Sequence, residues 1–251
     1  MIPKKIHFCW LSGDEYPPLI KHCIETWKQV LPDYEIVLWD TNRFDINSIA
    51  WVKEAYEAKK YAFAADYIRL YAVYTEGGIY LDSDVEVLKP FNDLLRYDSF
   101  IGFEASTEKI EAAVFGAISG CEWIREAMRY YHDKHFSMNK NGSVELNTIA
   151  PVVFQNALND AFSDFPSELP LNPLLLSNVK ENIYLCPPIY FSPLKYDLEK
   201  SNGINIYNAN KYKVNPNTYS IHRFTASWCL DVPLYLRIWD YFKRRYLRRH
   251  K

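Results

Sequence analysis

One segment of the sequence, residues 60–84, constrains the fold most. It consists of a helical stretch, a Gly-Gly pair, a short apolar run and two aspartates. Residues 60–76 are rich in alanine and typical of a helix, which Gly77 and Gly78 would end. Residues 79–81 are typical of a buried strand, and Asp82 and Asp84 come directly after it. Two carboxylates this close repel each other unless a cation lies between them. The segment therefore predicts either a divalent metal site or a solvated turn.

Alternating strands and helices predict an α/β fold with a largely parallel central sheet. The predicted strands are residues 6–10, 35–39, 79–81, 99–103, 112–118 and 183–186. The predicted helices are residues 17–31, 60–76, 121–135, 146–161 and 234–249. Ligands of such sheets bind at the carboxyl ends of the strands, where Asp82 and Asp84 would lie. This position favours the metal site over the turn.

Length and cysteine usage narrow the class of protein. A chain of 251 residues is long enough for one large domain or two small ones. Its five cysteines are scattered without a C-x-x-C pair, which argues against a disulfide framework or zinc site. The first residues have no apolar signal-peptide region, and no apolar run approaches a membrane span. We therefore expect a cytoplasmic protein.

The predicted helix at residues 60–76 carries polar groups suited to a ligand. Ala62, Ala65, Asp66 and Arg69 share one face at helical spacing. The small alanines leave room for a flat ligand, Asp66 can accept hydroxyl hydrogen bonds, and Arg69 can bind phosphate or sugar oxygens. The alternative is a simple ion pair between Asp66 and Arg69, one helical turn apart.

Two blocks, ADYIR at 65–69 and GGIYLDSD at 77–84, resemble the DxD-containing core of glycosyltransferase family 32. They are also similar to the glucosyltransferase domain of large clostridial toxins. The opening residues 2–10, IPKKIHFCW, resemble the first strand of that family, and residues 222–228, HRFTASW, resemble its C-terminal motif. The resemblance thus extends over most of the chain. It implies a GT-A fold, which we expect over residues 1–232, followed by a basic amphipathic helix at 233–251.

The resemblance also implies the donor-binding residues. Trp10 would stack on the base of a nucleotide sugar, and Asp66 and Arg69 would bind hydroxyls of the donor sugar. His7 and Tyr80 are further predicted substrate-binding residues. The donor nucleotide is expected to be UDP, because the strand that carries Trp10 resembles the corresponding strand of the clostridial toxins.

The metal site follows from the same resemblance. Asp82 and Asp84 would hold Mn²⁺ or Mg²⁺, with Asp82 also near the ribose or diphosphate, and His222 would complete the metal shell. Ser227 and Trp228 would bind the leaving diphosphate. Such an ion and such donors meet the charge that develops on the leaving group. Asp66, Arg69 and Asp84 are therefore the predicted catalytic residues, in a reaction that retains the anomeric configuration and needs no protein nucleophile.

The acceptor is harder to predict. Glu104 is either an acceptor contact or a plain loop carboxylate. Residues 237–251 hold seven Lys or Arg and one Asp, which leaves 22 basic and 30 acidic residues elsewhere. The segment 234–251 could contact an anionic membrane surface or dock on the sheet. An acidic body argues against nucleic acid. We expect a glycan or lipid-linked oligosaccharide acceptor at the inner face of the plasma membrane, in capsule, lipopolysaccharide or exopolysaccharide synthesis.

Three alternatives remain open from the sequence. The run ending in Asp82 also fits a HAD-type phosphatase, whose first aspartate is the nucleophile. That motif normally lies on the first strand of its fold, whereas two strands and two helices precede it here. The second alternative is a binding module that keeps the fold but has lost catalytic activity. The third is an enzyme that resembles the toxins and transfers sugar to a protein acceptor.

Overall fold

A computed structural model describes residues 1–105, 109–138, 148–193 and 215–224 of the chain. Within these ranges the strands are β1 (Lys5–Cys9), β2 (Glu35–Trp39), β3 (Gly78–Leu81), β4 (Val85–Val87), β5 (Ser99–Phe103), β6 (Ile110–Ala117), β7 (Leu174–Ser177), β8 (Asn182–Cys186) and β9 (Ser220–His222). The helices are α1 (Pro18–Val30), α2 (Ala50–Glu57), α3 (Tyr61–Glu76), α4 (Glu122–His132) and α5 (Ala150–Ala161).

Seven strands form one sheet in the order β2-β1-β3-β6-β5-β8-β7. The pairings give β2, β1, β3, β5 and β8 a common direction, while β6 and β7 run the opposite way. The predicted α/β fold with a mostly parallel sheet is confirmed. The carboxyl ends of β1, β2 and β3 consequently meet at one edge of the sheet.

Helices cover both faces of this sheet. Side chains alternate between the faces along a strand, so a strand covered on both sides is apolar throughout. Ile79 and Leu81 of β3 lie in the core that includes α1, whereas Tyr80 lies in the core that includes α2 to α5. Because β3 is buried on both faces, Asp82 is the first residue after the strand that can meet a ligand at the sheet edge.

Two glycines join α3 to β3. Gly77 and Gly78 have φ values of +66° and +115°, which residues with a Cβ rarely adopt. A Cβ on Gly78 would lie 2.9 Å from the Lys5 carbonyl oxygen and 3.0 Å from His7 Nε2. The glycines therefore let the end of α3 approach β1 closely, and the predicted helix end at Gly77 is confirmed.

A second, two-stranded sheet brings the chain back to the end of β3. β4 pairs antiparallel with β9, and Val85 lies opposite His222. Helix α1 holds this ribbon, since Trp27 Nε1 donates to the Val85 carbonyl at 2.7 Å and the Val87 amide donates to Thr26 Oγ1 at 3.0 Å.

Most predicted elements are present with small shifts of their ends. β6 begins at Ile110 rather than at residue 112, and α2, β4, β7 and β9 were not predicted. The predicted C-terminal helix and the expected domain boundary after residue 232 lie outside the described residues. Four of the cysteines fall in the described ranges, and all four are buried and unpaired. None of the helices in these ranges combines the length and apolar character that crossing a bilayer requires.

Candidate active site at the end of β3

The DxD pair lies in a tight turn between β3 and β4. The Asp82 amide donates to the Ala113 carbonyl at 2.9 Å, and the Val85 amide donates to the Asp82 carbonyl at 3.0 Å. Asp84 is 7% exposed, and the Asp82 side chain is 27% exposed. The turn therefore presents one buried and one accessible carboxylate at the carboxyl edge of the sheet.

His222 meets this pair because β9 pairs with β4. Its Nε2 lies 3.5 Å from Asp84 Oδ1, and its side chain is 15% exposed. Asp82, Asp84 and His222 each offer one ligand atom, and these atoms lie within 4.8 Å of one another. The structure thus brings together the three residues predicted from the sequence as metal ligands.

Glu111 is a fourth member of the group and was not predicted. It is the second residue of β6 and only 2% exposed. Its Oε1 accepts a hydrogen bond from the Ala113 amide at 2.9 Å and lies 3.3 Å from His222 Nδ1. In the sequence, Glu111 is a single charge in the apolar run IEAAVFGA, and the sequence pattern predicts that the strand begins only after this charge. We refer to Asp82, Asp84, Glu111 and His222 as the carboxylate–histidine cluster.

Arg69 connects this cluster to α3. Its Nη2 lies 3.0 Å from Asp66 Oδ1, and its Nη1 lies 3.4 Å from Asp82 Oδ1. Nη1 also donates to the Ala112 carbonyl at 2.9 Å. The hydroxyl of Tyr80 donates to Asp82 Oδ1 at 2.9 Å. Arg69 and Tyr80 therefore fix the position of the Asp82 carboxylate.

Asp66 and Arg69 differ from the sequence prediction in exposure. They were expected on a thin face open to a flat ligand, but they are 7% and 5% exposed. The ion pair considered as the alternative is formed, and Asp66 Oδ2 also accepts from the Ala150 amide at 3.3 Å. The reason is that α3 is covered by α2 and α4 as well as by the sheet, and the first residue of α5 reaches Asp66, so both groups are internal. Burial raises the pKa of Asp66 to about 7, with Arg69 opposing the shift.

The electrostatics of the carboxylate–histidine cluster favour positive charge. Burial alone would lower the pKa of His222, but the carboxylates of Glu111 and Asp84 raise it well above its ordinary value. Burial would raise the pKa of Glu111, but His222 lowers it. Burial raises the pKa of Asp82, and Arg69 opposes this. Glu111 and Asp84 thus place negative charge around His222 that a bound cation could also compensate.

This donor set fits a divalent ion. Two carboxylates and one imidazole within reach of each other suit Mn²⁺ or Mg²⁺, which prefer oxygen ligands. A set of three protein ligands also leaves coordination positions for water or phosphate oxygens. The residues present therefore agree with the metal site that the sequence predicted.

The remaining predicted site residues lie elsewhere or cannot be placed. His7 is fully buried; its Nε2 lies 2.8 Å from the Gly77 carbonyl, and its Nδ1 accepts from the Trp39 indole at 3.0 Å. Both ring nitrogens are thus occupied inside the sheet, which favours a structural role for His7. Its predicted role in substrate binding stays a prediction. Trp10 is half-buried at the end of β1, and its indole donates to the Asp14 carbonyl at 2.8 Å.

Tyr80, also predicted to bind substrate, is 1% exposed and acts on Asp82 instead. The Glu104 amide donates to the Lys109 carbonyl at 2.8 Å, after β5. Ser227 and Trp228 lie outside the described residues.

Comparisons with known proteins agree with this site. Residues 17–101 match the family model described as a glycosyltransferase sugar-binding region containing a DXD motif. Inositol phosphoceramide mannosyltransferase 3 of Schizosaccharomyces pombe is 30% identical over 146 residues, which is 54% of this chain. The match spans 40% of that relative, so the chain covers less than half of its length. An uncharacterized glycosyltransferase of Acanthamoeba polyphaga mimivirus is 24% identical over 212 residues, covering 78% of this chain and 83% of the relative.

A solved structure shows the same fold. The PaToxG glycosyltransferase superimposes with a TM-score of 0.50 at 20% identity, over 66% of this chain and 71% of that one. The architecture is therefore the GT-A type expected from the sequence. The chain carries a DXD-containing glycosyltransferase sugar-binding region on a GT-A-type α/β fold, which confirms the family resemblance predicted from its sequence.

Proposed function

We propose that the protein is a metal-dependent glycosyltransferase that moves a hexosyl or N-acetylhexosaminyl group from a nucleoside diphosphate sugar to a glycan acceptor. The observation that carries this proposal is the meeting of Asp82, Asp84 and His222 at the end of β3. That meeting occurs in a chain whose residues 17–101 match a DXD sugar-binding region. The same match favours a transferase over the phosphatase alternative.

In this proposal Asp82, Asp84 and His222 hold Mn²⁺ or Mg²⁺. When bound, the ion neutralises charge on the leaving diphosphate. Arg69 and Tyr80 keep Asp82 in place through the contacts at 3.4 and 2.9 Å. Asp82 therefore needs no reorganisation when the donor arrives, which is the property that favours electrostatic catalysis.

The remaining roles are those implied by the resemblance. Asp66 accepts a hydroxyl hydrogen bond from the donor sugar, and Trp10 stacks on the base, with uridine favoured. Ser227 and Trp228 donate to the diphosphate. Because Asp66 is buried beside Arg69, its contact with a sugar requires the donor to reach the floor of the site.

We propose that the reaction retains the anomeric configuration. The bond from the anomeric carbon to the diphosphate oxygen breaks, and a bond from that carbon to the acceptor oxygen forms on the same face. The acceptor proton passes to the departing phosphate oxygen, so no protein nucleophile is required.

The donor class is tested by thermal stability of the purified protein with Mn²⁺ and a panel of UDP-, GDP- and CMP-sugars. The panel includes a mannosyl donor, since the S. pombe relative is by name a mannosyltransferase. A ligand at 100 times its Kd adds about 2.7 kcal/mol to the free energy of unfolding. We expect a metal-dependent shift with one nucleotide, lost in Asp84→Ala. No shift with any of the nucleotides would overturn the transferase proposal.

For the acceptor we propose a glycan or lipid-linked oligosaccharide of capsule, lipopolysaccharide or exopolysaccharide synthesis. We further propose that residues 234–251 contact an anionic membrane at the cytoplasmic face. A protein acceptor is the second candidate. It follows from the resemblance of residues 65–69 and 77–84 to the glucosyltransferase domain of clostridial toxins. Transfer of radiolabelled sugar to extracted glycolipids, compared with transfer to cell protein, separates the two.

A further inference from the structure

We propose that Glu111 is a positioning residue, which holds His222 from behind so that the other ring nitrogen faces the cation. This inference rests on the proposed function, because it assumes that the carboxylate–histidine cluster binds a divalent ion. It adds a residue from β6 that lies outside the family-matched segment 17–101.

The imidazole of His222 lies between two carboxylates. Its Nδ1 is 3.3 Å from Glu111 Oε1, and its Nε2 is 3.5 Å from Asp84 Oδ1. A histidine that ligates a metal usually donates its second ring N–H to a carboxylate or carbonyl, which sets the tautomer and the orientation of the ring. Glu111 Oε1 lies at that second position as an ion-pair partner at 3.3 Å, where it could accept the Nδ1 hydrogen that has no hydrogen-bond partner among the described residues. Nε2 then faces Asp84 as the candidate ligand atom.

The position of Glu111 is unusual for a residue with only a structural role. All eight residues of β6 are buried, and the other seven are apolar or glycine. Burying a carboxylate is expensive unless it is paired and hydrogen-bonded. Its second oxygen, Oε2, is buried and has no hydrogen-bond partner among the described residues. The Ala113 amide, His222 and Ser192 offset the burial of Glu111, and the last two lower its pKa.

The test measures Mn²⁺ affinity by isothermal titration calorimetry without nucleotide, on wild type, Glu111→Ala and Glu111→Gln. Outer partners of metal ligands typically contribute 10–100-fold to metal affinity. We expect Kd to rise by about that factor in Glu111→Ala. Glu111→Gln should lose less, because its amide oxygen can still accept the Nδ1 hydrogen bond.

Glu181→Gln is the matched control. Glu181 is also a buried glutamate, 6% exposed, and accepts from the Glu122 and Trp123 amides at 2.7 and 3.0 Å. It caps α4 rather than facing His222, so its neutralisation should leave the Mn²⁺ Kd within about twofold of wild type, since a site without shared partners acts independently.

A double-mutant cycle separates positioning from direct ligation. If Glu111 acts through His222, then Glu111→Ala causes no further loss of Mn²⁺ affinity in a His222→Ala background. An undiminished loss in that background would make Glu111 a ligand itself and overturn the inference. Equal Kd values for wild type and Glu111→Ala would overturn it as well, and if Glu111→Ala does not fold, the same comparison is made with Glu111→Leu, which fills the space in β6 but cannot accept a hydrogen bond from His222. Absence of Mn²⁺ binding by wild type would instead overturn the proposed metal site and this inference with it.

Discussion

Two histidines of this protein, one fully buried and the other 15% exposed, lie in opposite environments. His7, in the middle of β1, is fully buried, and each ring nitrogen has a partner: the Gly77 carbonyl and the Trp39 indole. His222, at the end of β9, lies between the carboxylates of Asp84 and Glu111. The first histidine completes a hydrogen-bond network, whereas the second balances an excess of negative charge.

The two environments shift the ring pKa in opposite directions. Burial lowers the pKa of His7, and the Gly77 carbonyl opposes this only weakly. At His222 the two carboxylates outweigh burial and raise the pKa. Burial alone therefore does not mark a functional histidine. The distinguishing feature is whether the residues around it leave charge that a ligand could compensate.

The largest expected effect is that of His222→Ala on metal binding. Removal of a direct ligand should weaken Mn²⁺ binding by at least about 100-fold, because even outer partners contribute 10–100-fold. Calorimetric titration measures this change, with His7→Ala as the histidine control. An equal loss of Mn²⁺ affinity in His222→Ala and His7→Ala would contradict the assignment of a metal-binding role to His222 and a structural role to His7.

His7→Ala should act on stability instead. It leaves the Trp39 N–H and the Gly77 carbonyl without partners and opens a cavity in the sheet. We expect the free energy of unfolding to fall by about 2–3 kcal/mol, measured by urea denaturation. Donor affinity should be unchanged within about twofold, since the partners of the His7 ring are the Gly77 carbonyl and the Trp39 indole and not residues of the cluster. Weaker donor binding at unchanged stability would support the sequence prediction that His7 binds substrate.

Gly78→Ala tests the structural role of His7 by a second route, because the added Cβ would contact this histidine too closely. The Cβ would lie 3.0 Å from His7 Nε2 in a backbone at φ +115°. We expect a loss of about 2 kcal/mol in the free energy of unfolding. Gly120→Ala is the control: φ is +76°, but nothing lies within 4 Å of its Cβ. A similar loss in both variants would mean that backbone strain, rather than contact with Lys5 and His7, sets the cost.

The smallest expected effect is on the pH dependence of stability. The folded protein disfavours protonated His7, so below the ordinary pKa of 6.5 the unfolded state binds the proton first. His7 therefore lowers stability as pH decreases from 7 to 5.5, by at most about 1 kcal/mol, whereas the raised pKa values of Asp66 and His222 act in the opposite direction. The net change in stability over this window should be more favourable in His7→Ala than in wild type by up to that amount, measured by denaturation at each pH. An unchanged slope would show that His7 is not the titrating group.

Local patterns predicted the centre of the site, but non-local contacts determined the rest. The helix end at Gly77 and the aspartates after β3 follow from residues adjacent in sequence. His222 reaches Asp84 only because β4 and β9 pair, and strands of three residues carry no recognisable periodicity. His7 was assigned to the substrate because it lies in a motif, but its role depends on Trp39 from a neighbouring strand.

Glu111 was missed for a different reason. A charged residue in an apolar run is normally taken as the boundary of a strand, so β6 was predicted to begin after it. The free-energy cost of burying the Glu111 carboxylate is compensated by His222 beside it. This neighbour is known only once the three-dimensional structure is known. The predicted roles of Ser227 and Trp228 remain predictions.

The β4–β9 ribbon makes the proposed ion a reversible cross-link as well as a cofactor. Asp82 and Asp84 precede β4 and His222 ends β9, so a shared ion would add a cross-link between two strands that backbone pairing already holds together. Because that pairing has already closed the chain between residues 85 and 222, the ion would reinforce the end of the ribbon without closing a new loop. Cation concentration would accordingly set how firmly the end of β9 is anchored, and with it the resistance of that segment to proteases.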